Sequence, residues 1–117
     1  MHAAVVFANA LADSTRLRVV CLLLERTLCV CELAAVLKLP QSTLSSHLRI
    51  IERAGLLDCT RRGKWFFYRV KPASRPLLRA WFRRFGATPE ADATLARDRR
   101  QAMKSTACRS PDCSPPS

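Results

Sequence analysis

The chain has 117 residues, a length that predicts one domain with a modest hydrophobic core. Its three glycines argue against an all-β fold with many tight turns, and its longest apolar run, residues 19–24, is far too short to span a membrane. No basic segment followed by an apolar one opens the sequence. We therefore expect no secretory signal peptide, no membrane partner and a cytoplasmic location.

The net charge of +11 is unevenly distributed. Residues 1–60 hold six Lys/Arg and five Asp/Glu, whereas residues 61–117 hold fourteen and four. Solubility alone does not need so many uncompensated charges in half of a small chain. The excess favours a polyanionic partner over a merely solvated basic surface.

Sequence patterns predict three helices in the first forty residues. Residues 3–11 are apolar and compatible with a helix. Asp13-Ser14 is typical of an N-cap for a second helix, over residues 15–25, which carries an amphipathic stripe. A short third helix is expected over residues 30–37, and Pro40 interrupts it because proline disfavours helical geometry in the residue before it.

The helix predicted over residues 41–54 is the most informative segment. Leu44, Leu48 and Ile51 share one face at spacings of four and three residues. A solvated helix usually carries Glu/Lys pairs opposite such a face. Here the opposite face carries short hydroxyls and arginines, namely Ser42, Ser46, Arg49 and Arg53. Short side chains let a helix approach a DNA groove closely, and Gly55 is expected to cap its C-terminus.

Residues 56–70 are typical of a β-hairpin, with two β-prone runs flanking Arg62-Gly63. The cations Arg61, Arg62 and Lys64 lie at the expected tip. A hairpin with a cationic tip beside a helix pair is a wing, and its tip can meet phosphate or the minor groove. Helices are expected to follow over residues 74–85 and, from a weaker pattern, 90–103.

These elements predict a mainly α fold with a β-hairpin wing, a winged helix-turn-helix. We expect this domain to span residues 1–103. Residues 104–117 contain proline, serine and two cysteines but almost no apolar residues, so we interpret them as a flexible tail.

Four ordered motifs resemble the ArsR/SmtB family of metal-responsive repressors. They lie at residues 11–18, 28–34, 41–48 and 63–69, within about residues 8–71. The resemblance implies a winged helix-turn-helix homodimer that binds double-stranded operator DNA and represses a detoxification operon until an inducer releases it. It also implies that the N-terminal helix and the helices after the wing form the dimer interface.

The pair Cys29 and Cys31 resembles the inducer site of the family's arsenic and antimony branch, and also that of its cadmium and lead branch. In the arsenic pattern a third cysteine can lie three residues after the second, where this chain has Ala34. The cadmium and lead pattern adds cysteines from an N-terminal extension, which does not appear in this sequence. The family's zinc-type site needs Asp and His after the wing, and residues 72–103 contain no histidine.

Two residues apart on a regular helix, the side chains of Cys29 and Cys31 would point about 200° from each other. At a helix start the sulfurs can converge, if Cys29 is the N-cap, and the helix N-terminus is expected to stabilise thiolate. Soft thiolates select soft ions, and As(III) and Sb(III) fit that description as well as cadmium does. A third ligand is missing nearby. Cys108 and Cys113 are the candidates, with incidental thiols as an equal alternative.

We therefore predict a repressor released when As(III) or Sb(III) binds Cys29 and Cys31. Two alternatives stay open: a Cd- or Pb-responsive repressor that uses the tail thiols, and a thiol redox switch. A winged helix used only for protein contact fits poorly with the basic wing. An enzyme is not expected, because no nucleophile–base pair or phosphate-cradling loop appears. Cys21 and Cys59 are expected to be inert core thiols.

The predicted DNA contacts fall into two groups. Base-edge and phosphate contacts are expected from the recognition helix, and phosphate contacts from the wing. The helix candidates are Gln41, Ser42, Thr43, Ser45, Ser46 and Arg49, together with His47, for which a structural role is equally compatible; the wing candidates are Arg61, Arg62 and Lys64.

Overall fold

The computed structural model describes residues 1–104. Its helices are α1 (His2–Leu11), α2 (Ser14–Glu25), α3 (Val30–Leu37), α4 (Gln41–Arg53), α5 (Arg75–Arg84) and α6 (Ala93–Lys104). Its strands are β1 (Leu28–Cys29), β2 (Leu57–Arg62) and β3 (Trp65–Val70), and a 3-10 turn (Pro72–Ser74) precedes α5. None of the helices within this range is long and apolar enough to cross a membrane.

Local capping sets the helix boundaries. The Asp13 carboxylate accepts a hydrogen bond from the Arg16 backbone N–H at 3.0 Å and so caps α2, as predicted. The helix α4 ends one residue earlier than predicted, with Ala54 as its C-cap and Gly55 following in the left-handed region at φ +75°. The helix α3 ends at Lys38, a left-handed residue that reverses the chain toward α4.

The apolar face predicted for α4 is buried: Leu44 and Ile51 are fully enclosed, and Leu48 nearly so. These side chains join one hydrophobic core with residues from α2, α3, α5 and α6. The core members from those helices include Val19, Val20, Leu23, Leu33, Leu78, Phe82 and Leu95. The packing of α4 on this core leaves its hydroxyl-bearing face outward.

The sheet has the antiparallel order β1-β3-β2. In the hairpin Leu57 pairs with Val70 and Arg62 with Trp65, so the turn is Gly63-Lys64 and not Arg62-Gly63 as predicted. Gly63 has φ +61°, which explains a glycine at this turn. The edge strand β1 was not predicted, because two residues are too short to show alternation.

The helix α6 begins at Ala93, three residues later than predicted, because the Asp92 carboxylate caps it by accepting the Leu95 N–H at 3.0 Å. It packs on α2 and α3. Asp98, only 1% exposed, accepts two hydrogen bonds from the Arg18 guanidinium at 2.8 and 2.9 Å. The predicted tail cysteines, Cys108 and Cys113, lie outside the described residues.

Candidate DNA-binding and ion-binding sites

The outward face of α4 carries most of the predicted DNA contacts. Its exposed members are Ser42, Thr43, Ser46 and Arg49, and its half-buried members are Gln41, Ser45 and His47. The Ser46 hydroxyl donates to the Ser42 carbonyl at 3.3 Å, which leaves the Ser46 oxygen able to accept. The Gln41 Oε1 atom is buried and has no hydrogen-bond partner within residues 1–104, so this part of the predicted base-reading amide faces inward.

The wing presents an uninterrupted cationic surface. Arg61, Arg62 and Lys64 are all exposed, and residues 59–71 contain five Lys/Arg and no acidic residue. The Arg61 guanidinium lies 5.7 Å from the Phe66 ring centroid and that of Arg62 lies 5.7 Å from Phe67. These cation–π contacts hold the two guanidinium groups along the hairpin while leaving them accessible to a polyanion.

The cysteine pair lies where the wing sheet meets the helix-turn-helix. Cys29 is the second residue of β1, where it pairs with Phe67, and it is also the N-cap of α3. Its backbone N–H donates to Glu32 Oε1 at 3.0 Å, and its sulfur accepts from the Glu32 backbone N–H. These two hydrogen bonds form a capping box, in which Glu32 is only 1% exposed. The Cys-x-x-Glu spacing in the sequence could have predicted this capping box, but the prediction above did not include it.

The two sulfur atoms converge as expected at a helix start. Cys29 Sγ and Cys31 Sγ lie 3.2 Å apart. Cys29 is fully buried, whereas Cys31 is half-buried and makes a further interaction besides this contact. The pair thus places two sulfurs side by side at the start of α3, and because Cys31 is disulfide-bonded in this structure, it can bind an ion only after reduction.

The helix N-terminus does favour the thiolate of Cys29, as expected, but burial of the sulfur outweighs this effect. Burial raises the pKa of the Cys29 thiol to about 11, and the nearby Glu32 carboxylate acts in the same direction. The hydrogen bond from the Glu32 N–H lowers the pKa but does not offset burial. Cys29 is therefore a neutral thiol near pH 7.

Within the part of the chain that the structure describes, no three His, Cys, Asp or Glu residues are placed to hold one ion. Cys21 is buried, as predicted, and burial raises its pKa to about 11. Cys59 is exposed on β2, so its prediction as a core thiol is wrong: it lies on the hairpin face that the domain does not cover. A three-coordinate site needs a ligand from elsewhere.

A helix with a hydroxyl-bearing outer face, braced by a second helix and followed by a cationic hairpin, defines a winged helix-turn-helix regulator of the DNA-binding class. Residues 13–58 match the family described as "Bacterial regulatory protein, arsR family". The chain belongs to this family, whose members are transcriptional regulators and not enzymes.

The chain is similar to several regulators of known name. It is 45% identical over 65 residues to the arsenic resistance transcriptional regulator ArsR1 of Pseudomonas putida, covering 55% of this chain and 51% of that protein. It is 38% identical over 69 residues to the cadmium resistance regulatory protein CadC homolog of Staphylococcus aureus, covering 58% and 56%. The chain thus spans about half the length of these relatives. The structure of HlyU from Vibrio cholerae N16961 superposes with a TM-score of 0.64 at 34% identity, over 70% of this chain and 90% of that one.

Proposed function

We propose that this protein is a homodimeric repressor of operator DNA that is released when As(III) or Sb(III) binds at Cys29 and Cys31. The observation that carries the proposal is the 3.2 Å separation of the two sulfurs at the start of α3. The relatives named for arsenic and for cadmium resistance make both ion classes candidates. Two features of the site favour the trivalent metalloids, and a third concerns the source of the remaining ligand.

The first feature is the spacing of the sulfurs. Metal–sulfur bonds of about 2.3 Å at a tetrahedral angle separate two sulfurs by about 3.8 Å, whereas bonds of that length at about 90°, as in pyramidal trivalent arsenic, separate them by about 3.3 Å. The 3.2 Å separation, in a structure with Cys31 disulfide-bonded, is closer to the pyramidal spacing than to the tetrahedral one. A tetrahedral divalent ion would require the sulfurs to move apart.

The second feature is protonation. Burial keeps Cys29 neutral, because its pKa is raised to about 11. Arsenous acid reacts with a neutral thiol by condensation: the thiol proton leaves with one arsenic-bound hydroxide as water, and an As–S bond replaces an As–O bond. A divalent cation must instead displace the proton into solution, which a raised pKa opposes.

The third feature concerns the missing ligand. Lys104, the last residue of α6, lines a cleft with Ala35 and Val36 of α3. Ala35 is one helical turn beyond Cys31. Cys108 follows Lys104 by four residues, a span of at most about 14 Å. We infer that Cys108 or Cys113 supplies the third sulfur.

Release follows from the position of Cys29 in the chain. Its backbone pairs with Phe67 of the wing, and its side chain caps α3, the helix that braces α4. An ion that binds the Cys29 sulfur removes the N-cap of α3. It also strains the pairing of β1 with β3, because Cys29 is part of β1. Because one residue belongs to both elements, binding shifts the recognition helix and the wing together.

The homodimer is supported by uncovered apolar surface on α1 and α5. Val5, Leu77 and Phe85 are 59%, 59% and 63% exposed, and Trp81 stacks against Phe85 with ring centroids 5.2 Å apart. Leu77, Trp81 and Phe85 recur every four residues and so form one stripe of α5. A second copy would cover this stripe, and the two recognition helices would then meet adjacent half-sites.

The proposal is tested with a DNA duplex selected from a random-sequence library by the wild-type protein. Release from that duplex is measured by fluorescence anisotropy under reducing conditions, with arsenite, antimonite, cadmium, lead and zinc in turn. We expect release by arsenite and antimonite at far lower concentrations than by the divalent ions. Preferential release by cadmium or lead would contradict the metalloid assignment. Release by an oxidant in a parallel sample without reductant or added ion would establish the redox alternative.

The pH dependence separates the two ion classes independently. Below the raised pKa of Cys29, arsenite binding should be nearly constant from pH 6 to 8, because condensation with a thiol releases no net proton. Cadmium binding should tighten with pH by up to about tenfold per unit for each thiol it deprotonates. Isothermal titration in buffers of different ionisation enthalpy measures this proton release. A strong rise of arsenite affinity with pH would rule out binding to the neutral thiol.

The wing contributes phosphate contacts in this proposal. Arg62→Ala should weaken binding to all duplexes alike and reduce the slope of log K against log salt by about 1, because one phosphate contact is lost. Arg69→Ala is the matched control, since Arg69 already pairs with Asp58 at 3.2 Å. Affinity for selected and unrelated duplexes is measured from 50 to 300 mM salt. An unchanged slope for Arg62→Ala would place the wing tip away from DNA.

A further inference from the structure

Arg16 is a buried cation at the meeting point of three helices. Its side chain starts in the first turn of α2 and is only 9% exposed. Its Nη2 donates to the Asn9 carbonyl at 2.9 Å and its Nε to the Ala10 carbonyl at 3.2 Å, at the C-terminal end of α1. Its Nη1 lies 3.3 Å from Nδ1 of His47 on the recognition helix α4.

The chemistry of this contact fixes the state of His47. A guanidinium can only donate hydrogen bonds, so His47 Nδ1 must accept, and the imidazole hydrogen is then on Nε2. The nearest carboxylate oxygen, Asp13 Oδ2, lies 3.9 Å from Nδ1, beyond hydrogen-bond distance. It is engaged in capping α2 through the Arg16 N–H. Arg16 is therefore the group that selects the tautomer.

The Arg16–His47 contact also restricts the rotation of α4, which apolar packing alone does not. The core face of α4 consists of Leu44, Leu48 and Ile51, whose packing is non-directional and tolerates small rotations of the helix. The Arg16–His47 contact spans 31 residues of sequence, and the other hydrogen bonds of the same guanidinium join α4 to the end of α1. His47 is 21% exposed, so its ring extends from this junction toward the surface.

We propose that Arg16 is a positioning residue for DNA binding: it fixes α4 against α1 and holds His47 with an Nε2–H that donates to a DNA phosphate oxygen. The inference rests on the proposed DNA-binding function. The sequence left His47 as either a DNA contact or a structural residue. The proposal makes it a phosphate contact that depends on the buried Arg16. If the guanidinium served only to cap α1, the effects of changing residues 16 and 47 on DNA affinity would be additive.

The test combines a double-mutant cycle with NMR. Arg16→Met, His47→Gln and the double variant are compared for binding to the duplex selected by the wild-type protein. We expect each single variant to bind about tenfold more weakly, and the double variant to lose little more than either, because both remove one coupled contact. Arg26→Met is the control: it loses the same charge, but Arg26 contacts the Ala102 carbonyl of α6. We expect it to change affinity less than threefold.

Long-range ¹H–¹⁵N correlation spectra report the His47 tautomer directly in the full-length protein. The wild type should show a protonated Nε2 and an unprotonated Nδ1, and Arg16→Met should show a mixture. Additive losses in the cycle, or a wild-type Nδ1–H, would overturn the proposal. If Arg16→Met fails to fold, His47→Gln and the wild-type spectrum still decide it. If the wild-type protein selects no duplex, the proposed function fails while the tautomer measurement stands.

Discussion

Replacing Cys29 or Cys31 by serine is expected to leave DNA affinity within about threefold of the wild type and to abolish release by arsenite. Serine retains an acceptor at the N-cap, where it is a preferred residue, so the capping box with Glu32 and the start of α3 persist. It cannot form the As–S bonds of the proposed site. The loss should be large, because two sulfurs 3.2 Å apart act as one chelating unit and a single remaining sulfur does not.

The controls for this prediction are Cys21→Ser and Cys59→Ser. Cys21 is buried on α2 and Cys59 is exposed on β2, and neither belongs to the proposed ion site. Release is measured as the arsenite concentration that frees half of a labelled duplex, with the fold of each variant checked by circular dichroism. Normal release from Cys29→Ser or Cys31→Ser would refute the site. Cys108→Ser and Cys113→Ser, tested singly and together, show whether either supplies the third sulfur.

Breaking the Arg18–Asp98 pair is expected to have the largest effect on stability. Asp98 is 1% exposed and accepts both of its hydrogen bonds from Arg18, whose own side chain is 22% exposed. Arg18→Ala leaves a buried carboxylate without its partner, which should lower the free energy of unfolding by about 3 kcal/mol. For a domain of this size, the midpoint of thermal unfolding should fall by roughly 10–20 °C.

Two further variants show whether the burial of Asp98 causes the loss of stability in Arg18→Ala. The double variant Arg18→Met with Asp98→Leu removes both charges and should recover most of the lost stability. Arg99→Ala removes the ion pairs with Glu25 and Glu90 nearer the surface, and it should cost less than about 1 kcal/mol. Thermal unfolding followed by circular dichroism measures all four proteins. An effect of Arg18→Ala no larger than that of Arg99→Ala would show that the pair is solvated in solution.

The same pair has a functional consequence. It holds α6 on α2, and α6 ends beside α3, close to the proposed ion site. A variant that loosens α6 while leaving the core folded should therefore weaken arsenite binding more than DNA binding. This follows only if the tail supplies a ligand, so Arg18→Met with Asp98→Leu tests that contribution without introducing a buried charge.

The helical faces, the hairpin and the cysteine pair could be predicted from sequence because each follows from residues close together in the chain. Leu44, Leu48 and Ile51 mark the buried face of α4 by their spacing alone, and their burial confirms it. The convergence of the two sulfurs followed from a helix start at Cys29. The position of the turn differed by one residue, because the pairing register depends on both strands together.

The protonation state of Cys29 and the partners of Arg16 and Arg18 required the tertiary structure. Cys29 was expected to ionise from its place at a helix N-terminus, but burial dominates its pKa, and burial depends on what packs over the helix start. Arg16 meets His47 across 31 residues and Arg18 meets Asp98 across 80. No local periodicity encodes which distant face a side chain will meet. The sequence by itself therefore determined the amphipathic helix α4, the wing and the sulfur pair, whereas long-range packing decided how these three parts are connected.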